Sequence, residues 1–508
     1  MTANFNPSHN RWLVLAIVSS ALFLIVIDLT VLYTALPRLT HDLRASASQK
    51  LWIINAYPLV VAGLLPGLGT LGDRLGHKQL FLGGLLVFGM ASVVAAFAPG
   101  ADVLIGSRVL LAVGAAMMMP ATLSIIRLTF DDEKERAFAI GIWAAVASGG
   151  AAFGPVVGGV LLAFFWWGSV FLINVPVVLV AVVVGARVLE KRPGNRAREW
   201  DLIGSGQIMV ALICLTYAIK ELGKPQVDLI AFVITLLVGA CALTLFVRRQ
   251  KRSAAPLIDL DLFRNKQFLL GVIAASVMSA TLIGFELVFS QRLQLVSGYS
   301  PLQAGLLILP IPLAAFFAGP LMGSLQPKLG AARLLWLSLM MAGVGSLWYL
   351  FIFDGAILWW SVALAVFGFG AGAAITGAST AIINNAPASR AGMAASIEEV
   401  AYELGGAMGV TIFGSIMSVI YTMKLALPAE FTLPDIVRDS LDQAHLVAEQ
   451  LPPEQRERLL SVAFASFDYA FIGVVIVVTA MLFMTAGIIY FMNLRSAGAV
   501  SAGVGAGH

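Results

Sequence analysis

Five acidic residues lie in stretches of the chain that are otherwise apolar enough to enter a lipid bilayer. They are Asp28, Glu286, Glu398, Glu399 and Glu403. A charged side chain at mid-bilayer costs roughly 2.5–3.5 kcal/mol, so such residues persist where they face water, a partner or a substrate. A carboxyl group shielded from water favours its neutral form and can exchange a proton near neutral pH. These acids therefore predict a site that binds protons and cations in turn.

The spacing of the three glutamates near residue 400 indicates how they act. Glu399 and Glu403 are four residues apart and share a helix face, whereas Glu398 is turned by about 100° from Glu399 and stacks with Tyr402. Two carboxylates that are desolvated together resist joint ionisation, so one of them can keep a proton that a ligand cation displaces. The alternative is that some of these acids are satisfied structurally, by Arg108, Asn384 or Asn385.

Aromatic residues supply the other half of a cation site. A quaternary ammonium cannot donate hydrogen bonds, but it is attracted to the face of an aromatic ring. The candidates that lie mid-span or near the acids are Trp52, Tyr57, Trp143 and Tyr402. Arg108 is expected to be a counter-ion and not a ligand contact, because a guanidinium repels a cationic substrate.

The composition defines the class of protein that must position these residues. The 508 residues are 59% hydrophobic and only 12% charged, with a mean hydropathy of +0.91. A soluble domain has about 25% charged residues, so this is an all-α integral membrane protein. About 20 apolar residues span the hydrocarbon, which predicts fourteen transmembrane helices. The net charge of +4 gives no nucleic-acid signal, because the basic residues cluster beside the apolar spans.

The distribution of Lys and Arg predicts the orientation. The loops on one side of the membrane, together with both ends of the chain, carry about twice as many basic residues as the opposite loops. By the positive-inside rule, this side and both termini are cytoplasmic. We therefore expect a multi-pass protein of the bacterial inner membrane.

An internal repeat divides the chain. Pro66, Gly69, Leu71, Arg74, Leu75 and Gly76 recur 254 residues later as Pro320, Gly323, Leu325, Lys328, Leu329 and Gly330. This offset predicts a six-helix bundle at 1–200, a two-helix insert at 201–250 and a second six-helix bundle at 251–495. The second bundle includes an outer hairpin at 425–463, and the tail 496–508 is expected to be disordered. Such repeats are a transporter architecture with the substrate site between them.

Two glycine-rich motifs predict how the helices move. In residues 69–79, Gly69 and Gly76 allow a tight reversal, Asp73 can accept from a helix N-terminus, and Arg74 or Lys78 can pair across the halves. In residues 150–159, Gly154 and Pro155 loosen the fifth span. The glycines of this motif that let another helix approach closely are Gly150, Gly154 and Gly158, followed by Gly159.

These motifs resemble those of the major facilitator superfamily. Residues 69–79 match its G-x-L-x-D-R-x-G signature, and residues 150–159 resemble the signature of its antiporters. Asp28 lies in a first-span pattern similar to that of the fourteen-span drug/proton antiporters of the QacA type. Arg108 resembles that subfamily's fourth-span arginine, although Ala112 replaces the glycine that usually follows. The acidic cluster 394–406 also matches, and the nearest likeness is to methyl viologen resistance proteins of the SmvA type.

The resemblance implies a fold and a function. It implies two six-helix bundles plus two inserted helices. It also implies proton-coupled export of quaternary ammonium compounds, viologen, dyes and cationic antiseptics by alternating access. The protein would be a monomer surrounded by lipid. Its transport would be driven by the proton-motive force, without a cofactor or metal. It assigns conformational coupling to Gly69, Asp73, Arg74, Gly76, Arg108, Gly150, Gly154, Pro155, Gly158 and Gly159.

The sequence also bears on three other classes of protein. A proton-coupled nutrient or metabolite importer on the same fold is the alternative function. An intramembrane enzyme would need an embedded Ser/His pair or a DxxxD metal motif, so we expect no enzymatic activity. An ATP-driven pump is disfavoured because the chain has no G-x-x-x-x-G-K-[ST] loop.

Overall fold

The computed structural model describes residues 7–45, 47–194, 201–222, 227–253, 256–353, 355–426, 435–438 and 441–504. Over this part of the chain the backbone is helical, with short connections and no strand. The α-helices are α1 Pro7–Asp42, α2 Ala47–Leu75, α3 His77–Ala96, α4 Ala101–Thr129, α5 Glu133–Phe164, α6 Ser169–Leu172, α7 Asn174–Val188, α8 Leu202–Leu222, α9 Leu229–Arg252, α10 Lys266–Gln291, α11 Pro301–Ile308, α12 Pro310–Leu329, α13 Ala331–Phe351, α14 Ile357–Asn384, α15 Ala391–Lys424, α16 Leu441–Ala448 and α17 Pro453–Val504.

Side chains at the helix starts determine where several helices begin. Asp132 caps α5 by accepting from the Glu135 amide at 2.9 Å, and Asn265 caps α10 in the same way. Ser300 and Gln303 form a reciprocal capping box at the start of α11. Each cap satisfies backbone amides that a helix start leaves unpaired, so the apolar helices begin at defined residues.

The helices confirm the prediction of an all-helical membrane protein. Twelve helices in the described part are long and apolar enough to span a membrane. A thirteenth is the bent α5, whose pieces Glu133–Ala151 and Val156–Phe164 meet at 43°. Helix α8 holds only a shorter apolar segment, Ile203–Ile219. The count of fourteen spans therefore stays a prediction, because it requires this shorter helix to cross the bilayer.

The repeat has a counterpart in the backbone. Gly76 turns the chain between α2 and α3 with φ 101°, and Gly330 turns it between α12 and α13 with φ 80°. Both values lie in the region that favours glycine. We call α1–α7 the first half and α10–α17 the second half. One large apolar core lies mainly in the first half and extends to α10, α14 and α15, and a second lies in the second half.

The two inserted helices, α8 and α9, pack against each other between these halves in the chain order. Asp201, which precedes α8, pairs with Arg249 at the end of α9 at 2.7 Å. Partial burial acts to raise the pKa of Asp201, but hydrogen bonds from Arg249 and the Gly204 amide outweigh it and lower this pKa. The insert is thus held together at the end where the chain enters and leaves it.

The halves approach each other most closely at paired glycines. A methyl group on Gly141 of α5 would collide with the carbonyl of Gly319 on α12. A methyl group on Gly69 of α2 would likewise collide with the carbonyl of Gly392 on α15. Backbones can touch in this way only where side chains are absent. The α5–α12 and α2–α15 seams therefore hold the two halves together.

Hydrogen bonds also join the halves at one end of the bundle, which we call the basic end. It is the end where α5 and α15 begin and α4 and α14 finish. Arg136 donates to Asn384 Oδ1 at 2.7 Å, and Arg127 donates to the carbonyl of Ala386 at 2.7 Å. The bundle is closed at this end by charge-assisted hydrogen bonds.

The outer hairpin and the tail fall partly outside the described residues. Within the predicted hairpin, α16 packs against α17, and His445 Nε2 lies 3.0 Å from the carbonyl oxygen of Leu295. Residues 427–434 and 439–440 lie outside the described part. Residues 496–504 continue α17, and the disorder expected for the tail 496–508 stays a prediction. Residues 505–508 lie outside the described part.

Candidate functional site

A buried ion pair lies at the centre of the first half. Arg108 of α4 donates from Nη1 to Asp28 Oδ2 of α1 at 2.5 Å, and from Nε to the Ile53 carbonyl of α2 at 3.3 Å. The exposed fraction is 0% for Arg108 and 3% for Asp28. Removing either partner would leave a buried charge without compensation. Arg108 is therefore placed as the predicted counter-ion would be.

An amide completes the surroundings of Asp28. Asn174, at the start of α7, donates from Nδ2 to Asp28 Oδ1 at 3.3 Å and to Ser92 Oγ at 3.2 Å. All three side chains are buried. Neither Asn174 nor Ser92 was among the site residues predicted from the sequence. A buried amide of this kind orients the carboxylate it bonds.

Tyr57 links this pair to the second half. The Arg108 guanidinium lies over its ring, with Cζ 4.6 Å from the ring centroid. The Tyr57 side chain is buried and interacts electrostatically with both Asp28 of α1 and Glu403 of α15. One face of the ring is thus occupied by the protein's own cation. The predicted contact of Tyr57 with substrate stays a prediction.

The second-half carboxylates gather on α15. Glu398 and Glu399 are buried, and Ser379 of α14 donates to Glu398 Oε1. Glu399 interacts electrostatically with both Glu398 and Glu403. Within the described part, Glu398 Oε2 and Glu399 Oε1 are buried oxygens without a hydrogen-bond partner. Buried acceptors of this kind favour a proton or a cation as a ligand.

Tyr402 lies one helical turn after Glu398, as the stacking prediction required. Its hydroxyl interacts with Glu398 and lies 3.5 Å from the Ile375 carbonyl of α14. Ser379 also belongs to this group, and nothing in the sequence singled it out. Because α15 packs against both α2 and α4, the helix that carries the three glutamates borders the helices that carry Tyr57 and Arg108.

Glu286 occupies a different place. It lies on α10 and is half-buried. Burial affects its carboxyl group more than any charged neighbour does. Arg292 follows six residues later and pairs with Asp468 of α17 at 2.7 Å, with its guanidinium 4.1 Å from the Phe353 ring centroid. Arg292 therefore pairs with Asp468 instead of Glu286. The role of Glu286 as a cation contact stays a prediction.

The two tryptophan candidates differ in accessibility. Trp52 of α2 is 46% exposed, so its ring is accessible in this conformation. Trp143 of α5 is buried, and its Nε1 donates to Thr122 Oγ1 at 3.1 Å. Trp143 is thus part of the packing between α4 and α5 in this conformation. A substrate contact with it would require the two helices to separate.

The first glycine-rich motif lies at the α2–α15 seam. Asp73 Oδ1 accepts from the Gly392 amide at 3.0 Å, at the N-terminus of α15, and His77 Nε2 lies 3.3 Å from the same oxygen. A carboxylate at a helix N-terminus is stabilised by the helix dipole. The helix N-terminus from which Asp73 was expected to accept is thus that of α15, in the other half. Lys78 instead donates to the Ala186 and Leu189 carbonyls of its own half, which corrects its predicted pairing.

The second motif lies where α5 bends. The 43° bend falls between Ala151 and Val156, around Gly154 and Pro155. A methyl group on Gly150 or Gly154 would meet α1, at Val26 and Thr30 respectively. The helix that the glycines admit is therefore α1, which also carries Asp28. Gly158 is buried, whereas a methyl group on Gly159 would meet nothing within 4 Å.

One prediction tests the seam directly. Gly69→Ala would push a methyl group into the Gly392 carbonyl, and overpacking of this kind costs about 1–3 kcal/mol. We expect the basic end to open more readily and transport to fall by about tenfold, in line with that energy. Gly106→Ala is the matched control, because a methyl group there meets nothing within 4 Å. Transport rates per folded protein would measure both, and equal rates would contradict a role for the glycine contact.

Known proteins share sequence with most of this chain. The family model described as Major Facilitator Superfamily matches residues 18–410. The methyl viologen resistance protein SmvA of Salmonella typhimurium is 42% identical over 464 residues, covering 91% of this chain and 94% of that protein. The multidrug efflux pump LfrA of Mycolicibacterium smegmatis is 37% identical over 500 residues, covering 96% of this chain and 98% of that protein.

A solved structure shows the same fold. The crystal structure of the human organic anion transporter MFSD10 (TETRAN) aligns with a TM-score of 0.62 at 13% sequence identity. The alignment covers 94% of this chain and all of that chain. At this identity the likeness concerns the arrangement of helices and not the cargo.

Proposed function

Since the chain belongs to the major facilitator superfamily, whose members are secondary transporters and not enzymes, we propose that it is a proton-coupled antiporter. It exports lipophilic monovalent and divalent cations across the bacterial inner membrane by alternating access. The cargo class comprises quaternary ammonium compounds, viologen, dyes and cationic antiseptics. No cofactor takes part, and the proton-motive force supplies the energy to a monomer.

The observation that carries this proposal is the arrangement of buried carboxylates on both sides of one interface. Asp28 is neutralised by Arg108 in the first half, while Glu398 and Glu399 keep buried oxygens without hydrogen-bond partners in the described part of the second half. Tyr57 lies within electrostatic reach of acids of both halves. An excess of buried carboxylate over buried guanidinium favours a positive ligand.

The exchange follows from competition for these oxygens. A cation that reaches Glu399 and Glu403 from the cytoplasm replaces protons there, and the loaded carrier rearranges so that the site faces outward. Protons from the outside then neutralise the carboxylates and release the cation. When Asp28 takes up a proton, Arg108 loses its counter-ion but stays between the Tyr57 ring and the Ile53 carbonyl. Protonation of Asp28 can thus bias the packing of α1 against α4 and α2.

The relatives support the direction and the cargo. One is named as a methyl viologen resistance protein and another as a multidrug efflux pump. Viologen is a dication, and its export needs more than one negative charge at the site. The carboxylates of Glu398, Glu399 and Glu403 on α15 can supply more than one negative charge.

The function is tested in proteoliposomes with an acidic lumen, with the membrane potential held at zero by potassium and valinomycin. We expect radiolabelled tetraphenylphosphonium and methyl viologen to accumulate while a trapped dye reports a rise in luminal pH. Nigericin should abolish the accumulation, and protein-free liposomes provide the background. With the gradient reversed, so that the outside is acidic, uptake of a sugar or amino acid together with protons would instead establish the importer.

We also propose that the chain crosses the bilayer fourteen times with both termini in the cytoplasm. The apolar segment of α8 and the bent α5 supply the spans beyond the twelve long helices. The basic end is then the cytoplasmic end, since its Lys and Arg residues stay with the negative interior.

A further inference from the structure

The inserted helix α8 touches both halves of the protein. It packs against α2 of the first half and against α15 of the second half. These two helices form one of the seams that must change as the halves move. A helix that lies across a moving seam cannot keep its contacts with both sides.

The contact with α2 is an interlock. Methyl groups placed on Gly63 and Gly67 would meet Met209 Cγ at 2.9 Å and Ser205 Oγ at 3.1 Å. Gly63 would also meet Ile213 at 3.1 Å. Ser205, Met209 and Ile213 are spaced four residues apart on α8. Their side chains fill the spaces that the two glycines leave on α2. This is ridge-into-groove packing, in which one helix cannot slide along the other without losing contact.

The contact with α15 is of another kind. Ile208 and Leu212 belong to a small apolar cluster against which Val400 and Leu404 of α15 pack. Nearer the other end of α8, Thr411 Oγ1 donates to the Ile219 carbonyl at 2.9 Å. The residues at 208 and 212 are offset by three from those at 205 and 209, so the two stripes are about 60° apart around α8. Each stripe serves one half.

The position of α8 also bears on the acids. Val400 and Leu404 follow Glu399 and Glu403 directly in α15, so α8 covers the side of α15 next to the face that carries the carboxylates. Without α8, lipid would reach the α2–α15 seam there. Lipid chains against buried carboxylates would be unfavourable.

We propose that α8 is a sliding seal over the α2–α15 seam: it travels with α2 and slides on α15 when the two halves separate. The glycine interlock keeps it on α2, while one hydrogen bond and an apolar cluster without interlocking glycines let it move on α15. The seal keeps lipid away from the carboxylates in every conformation. The inference concerns motion and so extends the proposed function without depending on its cargo.

Two cross-linked variants separate the contacts. Both start from the full-length protein with Cys214→Ala and Cys241→Ala. The first carries Gly67→Cys with Ser205→Cys and ties α8 to α2. The second carries Ile219→Cys with Thr411→Cys and ties α8 to α15. A short bifunctional methanethiosulfonate closes each pair, and a reductant opens it again, so each variant serves as its own control for folding.

We expect the α2 tie to leave tetraphenylphosphonium transport within about twofold of the reduced protein, and the α15 tie to lower it by at least about tenfold, reversibly. Tolerance of both ties, or a block by the α2 tie alone, would overturn the proposal.

A distance measurement tests the motion of α8 independently of substrate transport. Spin labels on α8 and α15 should change their distance by on the order of 5 Å between acidic and alkaline pH, while labels on α8 and α2 should not. A protein that moves no tetraphenylphosphonium but shows this pattern would contradict the proposed function and support the seal. Equal changes in both distances would contradict the seal.

Discussion

Arg108→Ala should abolish proton-coupled export and lower the free energy of unfolding by about 3–5 kcal/mol, because it leaves Asp28 buried without its counter-ion. Arg108 also fills the space over the Tyr57 ring, so the substitution removes packing as well as charge. The effect on export should exceed that of any other single substitution in the first half, since it disturbs α1, α2 and α4 together.

The double variant distinguishes folding from coupling. Arg108→Ala combined with Asp28→Asn removes both charges, so we expect most of the lost stability to return while proton-coupled export stays absent. Arg187→Ala is the matched control, because it removes one arginine from an exposed position on α7. Thermal unfolding in detergent and export in proteoliposomes would measure the two quantities. Full export by the double variant would remove the pair from the mechanism.

Glu399→Gln should distinguish cargoes by their charge. A divalent cation needs two carboxylates close to it, and Glu399 lies within electrostatic reach of Glu398 and Glu403. Glu399 Oε1 has no hydrogen-bond partner in the described part of the chain, whereas Glu398 already accepts from Ser379. Glu399 is thus the acid most available to bind a substrate cation. Losing its charge removes about 3 kcal/mol of attraction to a dication, and about half as much to a monocation, at an effective dielectric constant of about 20.

We therefore expect Glu399→Gln to weaken methyl viologen binding by about a hundredfold and tetraphenylphosphonium binding by about tenfold or less. The substitution keeps the shape of the side chain, and Glu398→Gln is the matched control at the neighbouring position. We expect that control to have the smaller effect on the dication. Equilibrium binding to purified protein at fixed pH measures both constants. Equal losses for the two cargoes, or a larger effect at Glu398, would show that Glu399 does not supply the second charge.

Several predictions from the sequence depended on patterns along the chain, and these agree with the structure. The stretches of apolar residues predicted the membrane helices, because crossing a bilayer requires length and hydropathy that are visible in the sequence. The offset of 254 residues predicted paired turns, and Gly76 and Gly330 both adopt positive φ. The acids stood out because a charge in an apolar run is costly wherever the run lies.

Other expectations failed or were incomplete because they depended on how helices rotate against each other. Either Arg74 or Lys78 was expected to pair across the halves, and the amine of Lys78 reaches carbonyls of its own half instead. Trp143 was expected to contact substrate; its indole is buried against Thr122 in this conformation, and the contact stays a prediction. The direction of a side chain turns by about 100° per residue, so a small rotation of a helix decides which neighbour it meets.

By itself, the sequence determined that this is a helical membrane transporter built from two related halves, with carboxylates where lipid would exclude them. Hydropathy, repeats and motif spacing are properties of the chain that survive any arrangement of its helices. Only the tertiary structure decided that Asp28 is bound to Arg108 and Asn174, that Ser379 bonds Glu398, and that α8 lies across the seam. Those contacts join residues far apart in the chain, and only packing brings them together.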